Sequence, residues 1–171
     1  MSKQPAWPRK RILALFVAVA MTAGCGSPVS KSVRKELDQD ISFDHLKERP
    51  GSHEGKLVLL GGEIIRIHNK QEGTMIEILQ KRLNRWGRPK DEDNTGGRFL
   101  VFADRFLDPV VYSEGRRITV AGTVLGSHSE KIGEVDYVYP LLRAREIRLW
   151  QERSRSVFVY PYPIWYQWEF N

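Results

Sequence analysis

The chain of 171 residues is long enough for one domain of ordinary size and short for two. With 41% hydrophobic, 28% charged and 11% aromatic residues, it is neither a wholly disordered chain nor a polytopic membrane protein. The net charge of +6 overstates any attraction to nucleic acid, because Lys3, Arg9, Lys10 and Arg11 precede every acid and leave 23 bases against 21 acids from Cys25 onward. Residues 1–11 are polar and basic, and an uncharged run of twelve follows from Ile12 to Ala23. As a helix that run measures ~18 Å against a hydrocarbon core of ~30 Å, too short to span comfortably. A basic start, a short apolar run and small residues at its end read as a secretory signal over residues 1–24.

The signal ends at Thr22-Ala23-Gly24-Cys25, with small residues before the only cysteine of the chain. This resembles the lipobox of bacterial lipoproteins, although the position three before the cysteine, usually Leu, is Thr22 here. A lone cysteine makes no internal disulfide, and Cys25 stands where lipidation requires a thiol. The resemblance implies a diacylglyceryl thioether on Cys25 and an acylated new amino terminus. At ~0.8 kcal/mol per buried methylene, three acyl chains contribute on the order of 30 kcal/mol, so the protein is anchored to a membrane without crossing it. Gly26 in place of Asp points, by the usual sorting rule for such lipoproteins, to the outer membrane.

Residues 25–40 read as a lipidated terminus and a polar, flexible tether, able to reach ~50 Å at ~3.3 Å per residue. Residues 41–150 read as the folded domain. Ser42 caps a helical turn to Lys47, ended by Arg49-Pro50-Gly51. Leu57 to Leu60 and Ile64 to Ile67 flank Gly61-Gly62, which predicts one long strand with a bulge or sharp bend. A turn from Asn69 to Gly73 returns the chain to a strand from Thr74 to Leu79. Residues 81–97 lack a strand period and form a long charged loop. Strands are expected at Arg98 to Phe102 and Arg117 to Val124, with a short helix or turn between Pro109 and Gly115. Gly126 to Gly133 reads as a turn-rich connection, Val135 to Tyr139 as a strand stopped by Pro140, and Leu141 to Trp150 as a further strand with some helical propensity.

Such a pattern is mostly β and fits a small OB-like, partly open antiparallel β-barrel, with a plain sandwich as the alternative. The segments so placed resemble the Slp family of outer-membrane lipoproteins over roughly Phe43 to Trp150. Carrying the resemblance are Cys25 in its lipobox, Pro50 and Gly55 before Leu57 to Gly62, Gly97-Arg98-Phe99, Leu107-Asp108-Pro109 with Tyr112 and Gly115, Ile118 to Gly122, and Tyr139-Pro140 with Leu149-Trp150. It implies a lipoprotein on the periplasmic face of the outer membrane, and it brings no catalytic residues.

No constellation argues for an enzyme, a cofactor or a metal. His45, His53, His68 and His128 lack ligand spacing, and Gly126-Ser127-His128-Ser129 reads as a hairpin loop. Asp108-Pro109 is turn chemistry, and Glu72, Glu77, Asp91, Glu92 and Asp93 read as solvated acids. Two candidate contact surfaces remain. Lys81, Arg82, Arg85, Trp86, Arg88 and Lys90 form a basic cluster around an indole, suited to a sugar ring or anionic lipid headgroups, or else a mobile, soluble loop. Residues 151–171 form an aromatic tail. Seven of the fifteen residues from Val157 to Asn171 are aromatic, Tyr160, Tyr162, Trp165 and Trp168 among them, and Pro161 and Pro163 block a helix. The expected partners are the membrane, through Cys25, and envelope proteins, glycan or lipid headgroups. Nucleic acid is not expected in this compartment. The reading is a lipid-anchored, non-enzymatic binding or assembly module, with a glycan or headgroup binder using the barrel face and tail as the alternative.

Overall fold

The computed structural model describes residues 27–151. Two short helices, α1 (Lys31–Glu36) and α2 (Phe43–Glu48), and a 3-10 turn (Pro50–His53) precede five strands. The strands are β1 (Leu57–Lys70), β2 (Gly73–Gln80), β3 (Arg98–Ala103), β4 (Arg117–Ile132) and β5 (Val135–Leu149). They close into a ring in the order β1-β2-β3-β5-β4, which is an OB-type barrel. Four of its five seams are antiparallel. The fifth, between β3 and β5, is parallel and short, running from Leu100 opposite Leu141 to Phe102 opposite Arg143.

The glycine pair turns β1 from one half of the barrel to the other. Leu57 to Glu63 pair with β4, whereas Gly62 to Lys70 pair with β2. A Cβ on Gly62 would strike the Leu79 carbonyl oxygen, so the corner is tight enough to need a residue without a side chain. The expected bulge lies just beyond it, between Ile64 and Arg66.

Alternate residues of the strands fill the interior. Ile64, Ile76, Ile78, Phe99, Val101, Ile118, Val120, Val124 and Leu142 form one buried cluster with Phe43 and Leu46 of α2. Ser42 caps α2, as the sequence predicts, and His45 accepts in return from the Ser42 N–H to complete a capping box. Phe43 packs on Phe99 with ring centroids 5.9 Å apart, so this helix contributes to the core of the barrel. The segment between β3 and β4 forms turns, with the Asp108 carboxylate accepting from the Val110 N–H at 2.9 Å.

Two segments differ from expectation. Gly126 to Gly133 is not a turn-rich connection, because β4 continues to Ile132 and pairs with β5 up to Val135. Gly126 sits at a bulge with φ 103°, and the reversal needs only Gly133-Glu134, with Gly133 at φ 63°. Pro140 is tolerated because β5 pairs only with β4 there, β3 joining from Leu141 onward. In place of an extended tether, residues 27–37 lie against the barrel. Ser30 caps α1, and Val29 and Val33 are buried with Leu57 and Ala121. The Ser30 N–H donates to Glu146 Oε2 at 2.7 Å, and the Asp38 N–H to the Leu57 carbonyl at 2.8 Å.

Candidate functional site

Asn84 organises the tip of the loop between β2 and β3. Its side-chain oxygen accepts from the N–H groups of Trp86 at 2.9 Å and Arg88 at 3.0 Å, and Leu83 bridges to Pro89. Gly87 takes φ 73°, and its carbonyl accepts from the buried Thr119 hydroxyl at 2.7 Å. That hydroxyl oxygen in turn accepts from the Trp150 indole N–H at 2.9 Å. At the base of the loop, Lys81 is buried and donates to the Glu92 carbonyl at 2.6 Å. These bonds tie the loop to β4 and to the end of β5, so it is a built element of the barrel's end.

Trp86 stands at the tip with 53% of its surface exposed, and the Arg85 guanidinium lies 3.9 Å above its ring. Behind the tip, Arg88 and Arg148 flank the Trp150 ring at 5.6 and 5.4 Å. Arg88 also donates to the Gln151 carbonyl at 3.2 Å. An open cleft of about 770 Å³ runs between this loop and the strand ends, lined by Glu63, Arg88, Asp91, Glu114, Arg117 and Trp150 among others. Its charges are largely matched. Arg117 lies 2.6 Å from Asp91 and 3.6 Å from Glu63, and the hydrogen bond to Asp91 raises its guanidinium above the ordinary value.

Both ends of the described chain reach this loop. Gln151 is held by Arg88, and a Cβ on Gly87 would run into the Pro28 ring. Cys25 lies three residues before Pro28, and Tyr160, Tyr162, Trp165 and Trp168 follow Gln151 in the chain. All five lie outside the described residues. Gly87 and Arg88, which follow Trp86, thus meet the two ends of the described chain, from which Cys25 lies upstream and the aromatic tail downstream. No local sequence signal linked Pro28 to Gly87.

OB barrels commonly bind oligonucleotides or oligosaccharides on the β2–β3 face, beside the β4–β5 connection. Here the long β4–β5 hairpin covers part of that face. Glu77, on the outside of β2, was expected to be a solvated acid, but its side chain is only 2% exposed. Arg66 and Arg98 donate to it from the neighbouring strands, and the Tyr139 hydroxyl donates from the hairpin at 3.1 Å. Glu130 of the hairpin receives the other end of Arg66 at 2.8 Å, and Tyr137 accepts from the Arg98 backbone N–H at 2.9 Å. Burial is the main reason the Tyr139 hydroxyl is pushed above the ordinary tyrosine range, with the Glu77 charge adding to it. The phenol therefore remains a donor to the carboxylate.

The other polar candidates converge on nothing. Among the described residues no three His, Cys, Asp or Glu side chains gather as a metal site. His45 and His53 stack with ring centroids 6.3 Å apart, and His45 Nδ1 accepts from the Ser42 N–H. Ser127, His128 and Ser129 pair with Pro140, Tyr139 and Val138 as strand residues, in place of the expected hairpin loop.

The model of a family described as the outer membrane lipoprotein Slp family matches residues 22–171. Outer membrane protein Slp of Escherichia coli is 28% identical over 154 residues, covering 89% of this chain and 80% of that one. An uncharacterized protein of Haemophilus influenzae is 30% identical over 157 residues, covering 91% and 84%. Among solved structures, a small single-stranded DNA-binding protein from Streptomyces coelicolor shares 14% identity with a TM-score of 0.34, over 54% of this chain and 92% of that one. That likeness adds nothing to the strand order described above.

Proposed function

The chain belongs to the Slp family of outer membrane lipoproteins, and from that premise we propose that it is a non-enzymatic binding or assembly module of the envelope. It is held by lipid on Cys25 and faces the periplasm. The observation that carries this reading is the position of the only cysteine, directly after a short apolar run and three small residues. Supporting it, Pro28 packs at the end of the barrel, so that the anchor and the folded domain are closely joined. The β2–β3 face is partly occupied by the protein's own hairpin, and the cleft charges pair with one another, which leaves little room for a catalytic arrangement.

Replacement Cys25→Ala tests the anchor. The variant is expected to accumulate as an unprocessed precursor outside the outer-membrane fraction, and recovery of a processed, outer-membrane-bound variant contradicts the proposal. A second reading, recognition of glycan or lipid headgroups, draws on the half-exposed indole of Trp86 beneath Arg85. The part of it that relied on the barrel face loses ground to the Glu77 and Tyr139 network, and the loop and tail remain its surface.

A further inference from the structure

We propose that the loop end of the barrel rests on the bilayer that carries the lipid of Cys25. Arg85 and Trp86 at the tip, with the exposed Arg82 behind them on the same loop, then meet anionic phospholipid headgroups, and the β4–β5 hairpin points away from the membrane. The inference rests on the anchor reading and adds an orientation to it.

Chain length comes first. Pro28 is fixed against Gly87, directly beside Trp86. Three residue steps of at most ~3.6 Å each confine Cys25 to within ~11 Å of Pro28. No slack enters from the other side, because Val29 and Val33 are buried and Ser30 is bonded to Glu146. A bilayer entered by acyl chains on Cys25 must therefore pass close to the tip of this loop.

The chemistry of the tip matches such a surface. From Lys81 to Lys90 there are five bases and no acid. Lys81 is committed to the Glu92 carbonyl, and Arg88 to Gln151 and Trp150, but Arg82 and Arg85 are exposed, the latter with its guanidinium over the Trp86 ring. Trp86 is an indole of the kind enriched at membrane interfaces, and basic side chains near an anionic leaflet are attracted to it. The acids that follow, Asp91, Glu92 and Asp93, stand beyond Lys90, with Asp91 2.6 Å from Arg117 and Glu92 4.0 Å from Lys90. The far pole has the opposite character. Around the hairpin turn Glu134 and Asp136 stand exposed beside Lys131, and Glu130 is paired with Arg66. Repulsion at one end and attraction at the other select a single orientation.

The chain itself supplies a clean test, since Cys25 is its only cysteine and lipidation consumes the thiol. A single cysteine is placed by Trp86→Cys, Val110→Cys or Glu134→Cys in the full-length lipidated protein and carries an environment-sensitive fluorophore. Val110 serves as an exposed apolar control outside the loop, with 83% of its surface accessible. Each protein is reconstituted in vesicles of phosphatidylethanolamine with phosphatidylglycerol. The label at 86 is expected to be several-fold less accessible than that at 134 to a water-soluble quencher, and to be quenched by a lipid-borne one. High salt, pure phosphatidylcholine vesicles or the pair Arg82→Glu and Arg85→Glu should release it, which an apolar dye inserting by itself would not show. Vesicle flotation reads the anchor independently. Floating protein with position 86 as accessible as 134, or with 110 shielded in its place, overturns the orientation alone. Protein that fails to float overturns the anchor and the orientation together.

Discussion

A carboxylate on the outer surface of a barrel strand becomes buried only when something lies over it. For Glu77 that cover is Tyr139, whose own side chain is fully buried and whose hydroxyl donates to the acid. Replacement Tyr139→Phe removes the donor and keeps the ring. Since hydrogen bonds to charged groups contribute roughly 1.5–3 kcal/mol, the variant should lose about 2 kcal/mol of stability in a denaturant titration. The raised pKa of the phenol has a further consequence. Its share of stability is complete below the ordinary tyrosine value of about 10 and is lost as pH rises through the higher folded value. An alkaline unfolding limb present in the parent and diminished in Tyr139→Phe is the expected result, and identical limbs would refute the role given to this hydroxyl. Little of this was legible beforehand. The bases flanking Glu77 in space come from β1 and β3, and the residue covering it lies 62 positions away.

At the scale of elements, local signals succeeded where the chain pairs with near neighbours. The helix cap at Ser42, the glycine corner of β1 and the first hairpin all follow from short-range rules. The β4–β5 hairpin did not, because Gly126, Ser127, Ser129 and Gly133 favour turns as an isolated string. A bulge absorbs Gly126, and pairing with β5 extends the strand through the serines. Helix α1 carried a signal that a tether reading overlooks, namely Val29 and Val33 four apart around the Ser30 cap. These valines are 6% and 7% exposed, against Leu57 and Ala121. Val33→Asp should therefore detach residues 27–37 while the barrel persists. Hydrogen exchange checks this, with protection expected to fall for residues 34–36 and to remain in β2 and β3. Retained protection in the helix would contradict the docking, and loss throughout would show that the segment is integral to the fold.

Over the whole molecule, the count of β segments and the early glycine bend were enough to expect an OB-like barrel. The parallel β3–β5 seam that closes it was not visible, since it joins strands whose three paired positions stand about forty residues apart. The candidate site was legible in part. The basic loop with Trp86 was identified, but its order comes from Asn84, Thr119 and Trp150 acting together, and its contact with the amino-terminal segment comes from Pro28. In the proposed account, what unites the barrel, the docked amino-terminal segment and the exposed indole is attachment at a single atom, the sulfur of Cys25. Intact mass analysis of the amino-terminal peptide of protein purified from native membranes tests that attachment most directly. The account predicts a chain that begins at Cys25 and carries a diacylglyceryl thioether with a further acyl group on its amine. A peptide that retains Gly24, or begins at Cys25 with an unmodified thiol, would contradict it.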